Sequence, residues 1–388
     1  MRTTLLASLC LAAALPLAGC GDDATNDTTG DEGAWSWDLP DGVPLPASID
    51  DNPMTVAKVE LGRFLFYDTR LSGNETQSCA SCHDQSLAFT DGLSQAVGST
   101  GEVHPRSSMS LVNMAYTPRF TWANPLLDRM SHQARLPLFG ETPVELGMSG
   151  REGELLQRLA DATDPDYPAL FADAFAGEDD PITVENVTLA LEAFQRSIVS
   201  FDSPYDRYLR GDTTALDDAE LRGLELFFSE RLECFHCHGG LNFSDSLSTE
   251  HLPEAEVAFH NTGLYNIDGA GAYPAGGEGL FEISGEADDM GRFRAPTLRN
   301  IAVTAPYMHD GSAATLEDVI AHYAAGGRTI EDGPYAGDGS ENPYKSSFIG
   351  GFLITDAEMA DLIAFLEALT DDTLLTNPAY SDPFAGDR

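Results

Sequence analysis

Two copies of one short string, C-x-x-C-H, constrain this chain more than any other feature. They read CASCH at residues 79–83 and CFHCH at residues 234–238. Two thiols three positions apart can add to the two vinyl groups of a haem, and the histidine that follows becomes an axial iron ligand. The strings therefore predict two covalently held c-type haems. Cys79, Cys82 and His83 would carry the first, and Cys234, Cys237 and His238 the second. A zinc knuckle or a redox dithiol is the other use of such pairs. The adjacent histidine in both copies argues against it, and so do the signs of export at the amino terminus.

The chain opens MRTTLLASLCLAAALPLAGC. Arg2, the apolar run from Leu5 to Ala18 and the closing L-A-G-C read as a secretory signal with a lipobox. The run is shorter than the ~18–20 residues that span a bilayer. Its resemblance to bacterial lipoprotein signals implies that residues 1–20 are a signal and that Cys20 receives a lipid. The expected location is the periplasmic side of a bacterial membrane, anchored at Cys20. Residues 21–52, polar and acidic, are expected to form a flexible tether. Of six cysteines, Cys10 falls in the signal and Cys20 at the lipid site, so none remains for a structural disulfide. With 63 acidic residues against 21 basic, the net charge of −42 disfavours nucleic acid and anionic membrane surfaces. It suits a basic partner or a well-solvated surface.

Upstream of each motif the chain repeats itself. LGRFLFYDTRL (residues 61–71) matches RGLELFFSERL (residues 222–232) at Gly62/Gly223, Leu65/Leu226, Phe66/Phe227, Arg70/Arg231 and Leu71/Leu232. Leu61 with Leu65, and Leu221 with Leu224 and Phe228, suit short helices at a haem edge. Downstream of the motifs lie two apolar stripes of helical period. One is Val187, Ala190, Leu191, Phe194 and Ile198; the other is Met359, Leu362, Ile363, Leu366 and Leu369. Thr355 with Glu358 predicts a capping box at the start of the second. Little suggests strand. The expected class is mainly α: two fused cytochrome c-like domains, residues 53–205 and 206–388, with the boundary near Pro204.

These motifs, with AFTDG, PVELG and FRAPTLRNIAVTAPYMHDG, resemble the bacterial dihaem cytochrome c peroxidase and MauG superfamily over roughly residues 53–370. VGSTGEVHPR, TWANPLL, SERLECFHCHGG and HNTGLYN are most similar to the MbnH-type enzymes encoded beside methanobactin or copper-handling proteins. The resemblance implies a role for several residues. Peroxidases of the superfamily block the first iron with a histidine after VG; here Ser99 stands at that position, so the iron is expected to lack a protein ligand on its far side. His104 is the nearest spare imidazole. Glu145 falls on the distal glutamate and Gln133 on the distal glutamine, with Glu141 a nearby decoy. Read without the family, these are ordinary loop polar residues.

For the second iron, Met308, His309, His322 and Tyr323 are candidates. Thr315 predicts the start of a helix, LEDVIAHYAA, that ends at Gly326. On it Leu316, Val319, Ile320 and Tyr323 share a buried stripe, and His322 points about 100° away, toward the polar side. The family position agrees: MauG-type enzymes place a tyrosine where Tyr323 stands. Trp122 matches the indole between the haems. Thr304 and Pro306 match carbonyl donors to an inter-domain Ca²⁺, with Ser107 where an asparagine is usual. Leu232 replaces the surface tryptophan that MauG uses.

The expected activity is a peroxide-dependent dihaem oxidoreductase. It would share two oxidising equivalents from H2O2 between the haems and convert a tryptophan of a co-encoded copper-binding partner toward kynurenine. The rivals are a peroxidase fed by small electron donors, which needs Met308 as ligand, and a dihaem electron carrier without enzymatic activity.

Overall fold

The computed structural model describes residues 33–253 and 257–386. The expected leader and Cys20 lie outside them. Among the described residues no helix is long and apolar enough to cross a membrane. The fold is mainly α, with two antiparallel ladders of two residues per strand, Phe259–His260 with Phe293–Arg294 and Thr329–Ile330 with Gly337–Asp338.

Two crossed helix pairs organise it. In the first, α1 (Val56–Tyr67) packs on α2 (Val184–Ser197). Thr55 and Thr183 cap them, each side-chain oxygen accepting a backbone N–H of the first turn. The helices meet at Gly62, where any Cβ would run into the Ala190 carbonyl and the Cβ of Phe194. One turn on, Phe66 lies 5.2 Å from Phe194, both in the core.

The second pair repeats the first. α3 (Asp218–Phe227) starts from a capping box of Asp217 and Glu220, and α5 (Asp356–Glu367) from the expected box of Thr355 and Glu358. They meet at Gly223, where a Cβ would run into the Asp361 carbonyl and Phe365. Phe227 lies 5.3 Å from Phe365. The glycine and phenylalanine shared by the two sequence repeats are thus the residues that set both crossings. Burying each of these phenylalanines contributes about 1.5–3 kcal/mol. Between α3 and α5 in sequence, α4 (Leu316–Ala325) begins at a Thr315–Asp318 capping box and stops at Gly326, whose φ of 74° ends the helix.

Three expectations need correction. Phe228 does not join a helix face at the second haem's expected edge: it follows the last turn of α3, 40% exposed, and Phe227 lines the second cavity instead. Nor do residues 34–52 form a tether. Trp35 packs on the first core, Trp37 packs beside Tyr116 and Phe201, and the Trp35 N–H donates to the Met54 carbonyl. Their apolar side chains outweigh the acidic composition of the segment. Finally, the chain after α5 leaves the second half. Leu374 and Tyr380 enter the first core, and the Tyr67 hydroxyl donates to the Tyr380 carbonyl at 2.6 Å.

The halves join through polar groups that are buried and satisfied. Arg299 reaches both oxygens of Asp206, at 2.8 and 3.0 Å, and stacks its guanidinium on Phe201. Asp371 accepts from the Ser200 hydroxyl and donates its N–H to Asn300. The junction is therefore a fixed spacer between what lies on either side.

Candidate functional site

Each C-x-x-C-H string opens onto its own cavity. The first, about 330 Å³, is lined by Cys79, Cys82 and His83, and the second, about 660 Å³, by Cys234, Cys237 and His238. The local backbone is the same kind in both: a short helical turn carries the cysteines, Cys79–Ser81 in one and Cys234–Cys237 in the other. Each histidine then directs Nδ1 at a backbone carbonyl, His83 at Phe89 (2.8 Å) and His238 at Phe243 (3.2 Å). That bond fixes the tautomer and leaves Nε2 for a metal. Burial lowers the pKa of both imidazoles and keeps them in the neutral, ligating form. The Cys79, Cys82 and Cys234 thiols are pushed up to about 12, mainly by burial, which is adverse to thiolate redox chemistry. This donor set fits a thioether-linked haem in each cavity.

The remaining walls of the two cavities differ. In the first cavity stand Gln133, at the end of the short helix Met130–Gln133, and Glu145. Among the described residues no donor or cation reaches the Glu145 carboxylate, and burial alone raises it to about 7. Glu141 is exposed and accepts from the Ser149 hydroxyl, so it is outside this arrangement. Ser99 uses its backbone here: its N–H donates to the Glu145 carbonyl at 2.7 Å, and its hydroxyl lies toward Gly147. His104 does line the cavity, with Nδ1 accepting the Arg106 N–H at 3.1 Å.

The second cavity is apolar by comparison. Leu316, Val319, Ile320 and Tyr323 of α4 all face it, as their spacing predicts. Burial raises the pKa of the Tyr323 phenol. His322 does not reach the polar side. It is buried on another face of α4, neither ring nitrogen has a hydrogen-bond partner, and burial pushes it down to about 4. Thr262, Arg328 and Lys345, from segments on either side of α4 in sequence, act on it there. Met308, with φ at 70°, and His309, stacked on Phe293 at 3.8 Å, also line this cavity.

Trp122 lines both cavities, with Ser107, Ser108 and Met109. Its indole N–H donates to the Ser107 carbonyl at 2.9 Å. Ser107 in turn donates its hydroxyl to the Met308 carbonyl at 3.1 Å, and Thr304 and Pro306 line the second cavity nearby in sequence. Leu232 is buried against the second cavity.

Some residues of the site escape a reading of the sequence. Asp245 and His260 form a 2.6 Å pair beside Cys237. Arg294 is a buried arginine on the second cavity wall. The first depends on a contact across 15 residues. The second had a local signal, a charged residue flanked by Phe293, Ala295 and Pro296.

Residues 56–214 match the family described as di-haem cytochrome c peroxidase. The chain is 35% identical to the methylamine utilization protein MauG of Methylorubrum extorquens, over 85% of this chain and 82% of that protein. It is 31% identical to the cytochrome c551 peroxidase of Pseudomonas aeruginosa, over 72% of this chain and 75% of that one. Among solved structures, a MauG-like protein associated with microbial copper homeostasis superposes with a TM-score of 0.88 at 51% identity. That match covers 90% of this chain and 100% of the other.

Proposed function

The chain belongs to the di-haem cytochrome c peroxidase and MauG family and is an oxidoreductase with two c-type haems; from this we propose that it uses H2O2 to oxidise a tryptophan of a copper-binding partner protein toward kynurenine. When bound, the haems supply O–O cleavage and storage of the two oxidising equivalents. The protein's part begins in the first cavity. Glu145 takes a proton from the nearer peroxide oxygen and returns it to the departing one, with Gln133 orienting the pair. A carboxyl group raised to about 7 is matched to both halves of that transfer near neutral pH. Trp122, on the wall of both cavities, is the relay between the cofactors.

The observation that carries this reading is the asymmetry of the two walls. An acid–base group stands free in one cavity and a phenol in the other. Tyr323 as second-iron ligand would favour ferric and higher states, which suits storage of oxidising equivalents. A thioether there would favour the scavenging peroxidase. Ser99, which is not among the residues lining the first cavity, supports an open first iron. Ca²⁺ held by Ser107, Thr304 and Pro306, and a periplasmic location with a lipid on Cys20, belong to the same proposal. The copper-homeostasis association of the 51%-identical neighbour supports the choice of partner.

The test is intact-mass and peptide analysis of the co-encoded copper-binding protein after treatment with enzyme and H2O2. Conversion of one tryptophan to kynurenine is expected over two turnovers: two H2O2 open the indole ring to N-formylkynurenine with release of two waters, and hydrolysis then frees the formyl carbon as formate. An unchanged partner with rapid turnover of reduced cytochrome c would replace this reading with the peroxidase.

A further inference from the structure

Arg294 presents a problem that the protein alone does not solve. Its side chain is buried, with the whole residue 4% exposed, and it stands on the wall of the second cavity. Among the described residues it has no carboxylate partner. Nε reaches the Thr121 carbonyl at 3.4 Å, and one terminal nitrogen lies 3.9 Å from the Met109 sulfur. Both contacts are weak for a guanidinium. The one carboxylate that acts on it electrostatically, Asp245, is already held by His260 at 2.6 Å. Of the other buried arginines, Arg299 has both oxygens of Asp206, and Arg196 has the Ala47 carbonyl at 2.7 Å but lines neither cavity. A buried charge without an anion is strongly unfavourable, and Arg294, unlike Arg196, lines a cavity from which an anion can reach it. A c-type haem brings carboxylates of its own, and its thioether bonds leave them free.

We propose that Arg294 is the charge partner of a propionate carboxylate of the second haem and so couples that cofactor to the segment between the two cavities. The coupling runs through the backbone. The Arg294 N–H donates to the Trp122 carbonyl at 2.9 Å, and Nε touches Thr121, the residue before it. Thr121 is held at a φ of 69°, a conformation that a threonine adopts only when its surroundings impose it. The guanidinium thus has one side on the Trp122 segment and the other toward the cavity. Burial without a partner also lowers its pKa to about 10, the direction that an added carboxylate would reverse.

The experiment uses the dihaem protein and reads the cofactor, not turnover. In Arg294→Gln with both haems attached, loss of the positive charge should favour the ferric second haem. The reduction equilibrium should shift roughly tenfold, 59 mV for one electron, measured by spectroelectrochemistry. Arg294→Lys, which keeps the charge, should recover most of the shift. An unchanged second-haem potential in Arg294→Gln overturns the proposal. If Arg294→Gln does not fold, Arg294→Lys decides by resonance Raman. A displaced propionate bending band of the second haem, relative to wild type, supports the contact, and an unmoved band overturns it.

Discussion

The two halves of this molecule agree on the side of the cysteines and disagree on the other. On the agreeing side, Gly62 with Phe66 and Phe194 repeats as Gly223 with Phe227 and Phe365, down to ring separations of 5.2 and 5.3 Å. Each motif histidine is held by a carbonyl five or six residues on. Opposite, one half has Glu145 and Gln133 and the other a tyrosine on an otherwise aliphatic helix face. Attachment of a haem needs a close helix crossing and an oriented imidazole, and both copies keep these. In the proposed function the rest of each lining sets what the iron does, and there the copies differ.

The most severe way to break the comparison is to remove an anchor. Cys82→Ala and Cys237→Ala should each cost normal haem attachment at one site only, read as pyridine haemochrome per protein, with the other half's spectrum intact. Loss at both sites would mean that the halves do not load separately.

Next comes the wall that differs. Glu145→Gln should attach both haems yet react with H2O2 more slowly by about 10²–10⁴-fold, measured by stopped-flow at the Soret band. A loss below tenfold would demote the residue. Its pH dependence follows from the raised carboxyl. The first proton transfer needs the carboxylate, so the wild-type rate should rise with pH through about 7, and Glu145→Gln should lack that step.

The shared crossing offers a third test. Glycine inside a helix is ordinarily worse than alanine by about 0.5–1 kcal/mol, so Gly→Ala is normally stabilising. Here a methyl group would strike a carbonyl of the partner helix in both halves. Gly62→Ala and Gly223→Ala should therefore each destabilise by about 1–3 kcal/mol in denaturant titration. A stabilising result at either position would show that the two crossings are not equivalent.

The smallest expected effects separate neighbours on α4. Tyr323→Phe should alter the second haem's low-spin spectrum, whereas His322→Ala should leave it nearly unchanged. The reverse outcome would transfer the ligand role to His322.

How much of this the sequence carried depends on the range of the interaction. The motifs, the glycine–phenylalanine repeat, the capping boxes and the face of α4 that bears Tyr323 are local patterns, and they reappear as geometry. For His322 a helical wheel shows where the side chain points but not which segments outside α4 bury it. Trp35 and Trp37 sat in acidic surroundings, and composition hid the two rings that dock them. Arg294 was overlooked because its missing counter-charge is visible only once burial is known.

The return of the last residues to the first core has a consequence for how the molecule is made. Leu374 and Tyr380 are synthesised after every helix of the second half described above, yet they wall the core built on α1 and α2. The half that emerges first therefore closes last. Until that segment returns, one side of the first domain is open, and the second half can be complete before the first is sealed. Order of synthesis and order of completion therefore run in opposite directions along this chain.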